Sequence, residues 1–142
     1  MPPDLIARFL IRMAKFKTEN KEFLSYLIYK AYDQQSFIEE IKEEINQQFK
    51  NLNKKNLYLS KKTIRKALKT TNKYIKFSGE KQTELELLIH FCKKMRASGL
   101  PLHHGKVLGN MYLREYNRVK KILGTLHEDL QYDYVDEIKK LS

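Results

Sequence analysis

Apolar residues return at every third or fourth position through almost the whole chain, and that period constrains the fold more than any other feature. Leu5, Ile6, Phe9, Leu10, Met13 and Phe16 share one side of a first helix, with Arg8, Arg12 and Lys15 opposite. Phe23, Leu24, Leu27, Ile28 and Ala31 are the expected inward residues of a second helix, about 19–32. Phe37, Ile38, Ile41, Ile45 and Phe49 mark a third. A fourth, about 57–77, sets Ile64, Leu68, Thr71 and Ile75 on one side, and a fifth, about 80–98, carries Leu85, Leu88, Ile89 and Cys92. Residues 105–141 hold one long helix or two. Gly124 weakens a continuous helix and "TLHE" (125–128) reads as a capping box, so two are expected. No run alternates polar and apolar residues for long enough to argue for a strand.

The punctuation between these segments is helical too. Asp4, Thr18 and Asp33 each stand where a side-chain oxygen can accept from the free amides of a helix start. "NLNKKN" (51–56) is a polar linker, Ser78-Gly79 can end the fourth helix, and "SGLP" ends the fifth. With only 5 Gly and 3 Pro, a turn-rich β architecture lacks its material. The expectation is a single all-α domain over 1–142, a compact bundle of six or seven mostly antiparallel helices. An irregular HEAT-like stack of helical hairpins is the alternative; no internal repeat supports a regular one.

Charge is unevenly placed. Residues 45–79 hold 10 Lys and Arg and no carboxylate, whereas the rest of the chain is close to balance, so nearly all of the net +11 sits there. At about 100° per residue, Lys62, Lys66, Lys69, Lys73 and Lys76 fall on one stripe of the fourth helix, flanked by Lys61 and Arg65. The ridge is about 30 Å long. Like charges one turn apart repel by tenths of a kcal/mol per pair, and a polyanion relieves that repulsion while releasing counterions. Tyr58 falls near the same face and can stack on a base or sugar. These eight residues are the expected polyanion-binding site, and the expected partner is nucleic acid. With 22 Lys against 6 Arg, the surface lacks the bidentate forks of base recognition. A protein–protein adaptor with an acidic partner is therefore the alternative, and a merely solvated face the bland one.

Catalytic and metal signatures are missing. The chain has no phosphate-binding glycine loop, no nucleophile elbow and no zinc-protease motif. His103 and His104 sit beside Gly105 in an expected loop, with nothing nearby to complete a zinc site. Glu86 and His90, one turn apart, read as a helix-face hydrogen bond. Cys92 lies in an apolar stripe, the place of a structural thiol. His127, Glu128, Asp129, Asp133, Asp136 and Glu137 gather near the end, where they are expected to cap helix starts or balance the lysines. The chain is therefore read as not an enzyme, with no cofactor and no metal.

"ELELLIHFC" (84–92) and "LHEDLQYDY" (126–134), in a short lysine-rich helical chain, resemble uncharacterised small all-helical bacterial proteins of unknown function. That resemblance implies no activity, substrate or residue role. A single cysteine suits a reducing compartment and a cytoplasmic location. The first helix also fits an organellar presequence or a membrane-surface helix. Asp4, the absence of serine there and the direct run into a second helix favour a packed helix instead, so no membrane partner is expected.

Overall fold

Seven segments carry helical periodicity strong enough to bury a face, and all seven are helices in a computed structural model of the chain. It describes residues 1–142, apart from the side chain of Gln34. The order is α1 (Pro3–Phe16), α2 (Thr18–Tyr32), α3 (Gln34–Lys50), α4 (Leu57–Ser78), α5 (Lys81–Ala97), α6 (Val107–Leu123) and α7 (Glu128–Lys139). No strand occurs among the described residues, and the protein is all-α. It divides into two compact units, Met1–Glu39 and Glu40–Ser142, with the boundary inside α3.

In the larger unit, the core is built around α5. Leu85, Leu87, Leu88, Phe91, Cys92 and Met95 are each fully or almost fully buried, so this helix meets neighbours on several sides. Side-chain bonds give the register of those neighbours. Gln48 Nε2 donates to Thr70 Oγ1 at 2.8 Å and Tyr74 donates to Glu44 at 3.0 Å, which runs α3 and α4 antiparallel. Gln82, Glu86 and Lys93 meet Tyr134 and Glu137 in ascending order, which runs α7 parallel to α5. Between them in sequence, α6 packs on α5 and returns the chain.

The loop before α6 is held by close approach. A Cβ on Gly109 would lie 1.9 Å from the carbonyl oxygen of His103, so only glycine lets residues 102–103 lie against α6. Tyr112 then donates to the carbonyl of Leu141, tying the end of α7 back to α6.

Several helix ends form as the sequence predicts. Asp33 Oδ1 accepts from the Ser36 amide at 3.1 Å, and Gly79 closes α4 with φ 62°. Others do not. Pro2 and Lys17 precede α1 and α2 without any side-chain cap, which leaves Asp4 and Thr18 inside the first turns. The capping box at 125–128 is absent as well: Thr125 Oγ1 donates back to Ile122, and His127 Nδ1 accepts from the Asp129 amide. A turn at Gly124 spends Thr125 on the end of α6, so α7 starts two residues later than that motif implies, with His127 at its N-cap.

The smaller unit pairs α1 with α2. Asn20 Nδ2 donates to the Met13 carbonyl at 3.1 Å, and Tyr26 is buried edge-on against Phe37, 4.8 Å between ring centres. None of the five residues expected to face inward from α2 is buried, and Leu24 alone of them is half-buried. Phe23, Leu27, Ile28 and Ala31 are exposed, whereas Tyr26 is buried. Two helices touch along one seam, and their apolar arcs are wider than that seam.

Candidate polyanion-binding surface

The basic helix forms because both of its ends are capped and its apolar stripe has somewhere to go. Asn56 Oδ1 accepts from the Leu59 amide at 3.1 Å, and the Gly79 amide donates to the Ile75 carbonyl. Ile64, Ala67, Leu68, Thr71 and Ile75 are buried. The Thr71 hydroxyl, inside that stripe, is satisfied by donating to the Ala67 carbonyl at 2.8 Å. Burial of one edge fixes the rotation of the helix and therefore what faces out.

What faces out is the ridge. Lys62, Arg65, Lys66, Lys69 and Lys76 are exposed; Lys61 and Lys73 are half-buried. Tyr58 is 73% exposed one turn before Lys62. Tyr58 and Lys76 are about 27 Å apart along the helix. Among the described residues, no carboxylate lies within ion-pairing reach of Lys61, Lys62, Arg65, Lys66 or Lys69. Lys73 is engaged differently, with its ammonium 4.7 Å from the centre of the Tyr74 ring. The ridge therefore has an open half, from Tyr58 to Lys69, and a half that touches its own protein.

The acidic tail does not serve as a counter-surface through the contacts it makes. Glu137 pairs with Lys93 of α5 at 2.9 Å, and Glu128 and Asp129 occupy the first turn of α7, where the helix dipole favours them. His103 and His104 are exposed in the loop before α6. Glu86 and His90 do not bond each other. Glu86 accepts from the Tyr134 hydroxyl at 2.9 Å, while His90 Nε2 and Asn46 Oδ1 lie 2.7 Å apart. Side chains of α3 and α7 that meet at this edge of α5 offer each group a better partner than its helix neighbour.

Cys92 is fully buried, and burial, reinforced by the Glu115 carboxylate, pushes its thiol up to about 12. A thiol so far from its thiolate is a core side chain. Burial likewise pushes Tyr134 up to about 12, and holds His90 down to about 4, with the Lys42 and Lys94 ammoniums adding to it. His90, Tyr134, Lys42, Glu86, Lys93 and Glu137 line a polar cleft of about 140 Å³. In it, Glu86 and Glu137 are bonded to Tyr134 and Lys93, which makes it a cross-linked seam.

A second polar cluster, absent from the sequence reading, lies behind the ridge. Arg118 reaches Asn72 of α4 at 2.7 Å, Glu84 of α5 at 3.0 Å and Glu115 of its own helix at 3.4 Å. Glu115 is only 4% exposed. The signal for it was there: Glu115 continues the helical spacing of Tyr112 and Val119, and an acid on a buried stripe needs a cation beside it. This clamp ties α4 to α5 and α6 and holds the back of the basic helix.

Comparison with protein-family models, with curated proteins and with solved structures brings no match. No activity, ligand or residue role therefore comes to the chain from a relative. Among the described residues no helix is long and apolar enough to cross a membrane.

Proposed function

We propose that this chain is a non-catalytic binding protein that holds a polyanion, nucleic acid by preference, along α4. The observation that carries the reading is the open half of the ridge: five cations on one helix face, none paired with a carboxylate among the described residues. Unpaired, aligned lysines bind a phosphate backbone by releasing its counterions, without reading sequence. Tyr58 adds a flat exposed ring at one end of the track. A reducing, cytoplasmic setting suits the single buried thiol of Cys92.

Binding of mixed-sequence DNA and RNA, followed against salt, tests it. Affinity in the micromolar range at low salt is expected, with a log–log slope of about 0.9 per neutralised phosphate on duplex DNA. Converting Lys62, Arg65, Lys66 and Lys69 to Glu should abolish binding and leave helicity unchanged, because all four side chains are exposed. The control reversal uses Lys106, Lys121, Lys139 and Lys140, exposed residues on other elements, and should weaken binding far less. Equal loss from both sets means diffuse charge, and no binding by the native chain leaves an acidic protein as the partner of the ridge.

A further inference from the structure

Four of the exposed apolar residues of α1 form one continuous face, while Leu10 and Ile11 are exposed outside it. Ile6, Phe9, Met13 and Phe16 recur at three- and four-residue steps and are 44%, 45%, 65% and 82% exposed. The seam with α2 runs along one flank, lined by Leu10, Met13 and Ala14 against Phe23, Leu24 and Leu27, so Met13 borders it and Phe9 and Phe16 do not. At about 100° per residue, Phe9 and Phe16 lie roughly a third of a turn or more away from that seam. Pairing with α2 therefore cannot cover them. Arg8, Arg12 and Lys15, all exposed, form a stripe beside that face, on the flank away from the seam and nearest Phe16. Asp4, in the first turn, is the acid that α1 carries.

We propose that α1 is an interfacial anchor that lies on an anionic lipid surface, with Phe9 and Phe16 at the acyl boundary. Arg8, Arg12 and Lys15 then reach the headgroup phosphates. Charge selects this occupant. A second copy would bring two basic stripes together, and like charges across an interface cost several kcal/mol. A bilayer with negative headgroups offers the complement in the right order, charge above and hydrocarbon below, and long basic side chains reach up to it. No helix among the described residues is long and apolar enough to cross a membrane, as the sequence implied, and the proposal concerns only a helix lying on a membrane surface. The helix lies on a membrane and does not cross one, in keeping with its 14 residues.

The full chain with Phe16→Trp provides the test, because the native sequence holds no tryptophan and the new indole reports alone. Phosphatidylcholine vesicles with and without phosphatidylserine are added at physiological salt. The expected result is a blue shift and co-sedimentation with the serine-containing vesicles only. Replacing Ile6 and Phe9 by Ser should lower the partition coefficient at least about tenfold. Reversal of Lys62, Arg65, Lys66 and Lys69 to Glu should lower it by less than about threefold, which separates this face from the α4 ridge. Three results overturn the proposal. One is no blue shift with either vesicle. Another is binding lost on reversing the ridge and kept without Ile6 and Phe9. The third is a dimer in sedimentation velocity that Ile6→Ser and Phe9→Ser dissociate, which assigns the face to a second copy.

Discussion

The first 39 residues and the remaining 103 show the same apolar period and end differently. In the larger unit, Leu88 and Phe91 of α5 are fully buried between neighbouring helices. In the smaller, Phe16 is 82% exposed and Ile28 54%, although both stand at the spacing of a packed stripe. A helix can bury its apolar arc only as far as other helices surround it. α5 meets α4 and α6 directly and shares side-chain bonds with α7; α1 meets α2 along one narrow seam. Apolar spacing tells which face wants cover, and the number of neighbours decides whether it gets any.

The largest expected effect sharpens that contrast directly. Phe91→Ala removes a ring that packs against Phe49 at 5.8 Å between centres, and should cost about 3–5 kcal/mol in denaturant unfolding. Phe16→Ala should change stability by less than about 0.5 kcal/mol. Comparable losses from the two would mean that α1 is covered in solution after all.

Gly109→Ala comes next. The added methyl must displace the backbone at His103, so a loss of about 1–3 kcal/mol is expected, seen as a lower unfolding midpoint with an unchanged slope. The same change at Gly124, whose Cβ would meet nothing nearer than 3.5 Å and whose φ is −64°, should be neutral or mildly stabilising. This pair separates tight packing in the larger unit from the mere presence of a glycine.

A smaller effect is tied to pH. Folding holds His90 down to about 4 from its ordinary 6.5, so between those values the unfolded chain binds a proton that the folded one refuses. Stability from this group is therefore fully present above about pH 6.5 and is lost as pH falls toward 4. Its size is on the order of 2 kcal/mol, allowing for partial solvent access. His90→Gln should flatten the stability profile in that window, and an unchanged profile would place the histidine in open water. No comparable pH dependence is expected from the α1–α2 pair, which contains no histidine.

The smallest effect concerns the ridge itself. Lys73→Gln should change nucleic-acid affinity less than Lys66→Gln, because Lys73 is half-buried over Tyr74 and Lys66 is free in solvent. Each lost phosphate contact lowers the salt slope by about 0.9, so the two variants are distinguished by slope as well as by affinity. Equal slopes would mean that the whole helix face binds as one, with no division into an open and an engaged half.

Much of this protein follows from local rules. Seven helices, the break at Gly124, the stop at Gly79 and the cap at Asp33 all follow from spacing and turn chemistry within a few residues. So does the ridge of α4, because burying Ile64, Leu68 and Ile75 dictates that Lys62, Lys66 and Lys69 point outward. Partners distant in sequence were beyond those rules. Arg118 bonds residues 34 and 46 positions away, and His90 takes Asn46 in place of Glu86. The uncovered face of α1 belongs to the same class. A period of 3.6 fixes a direction on one helix, whereas contact depends on which other helices arrive there, and that is decided only by the tertiary packing.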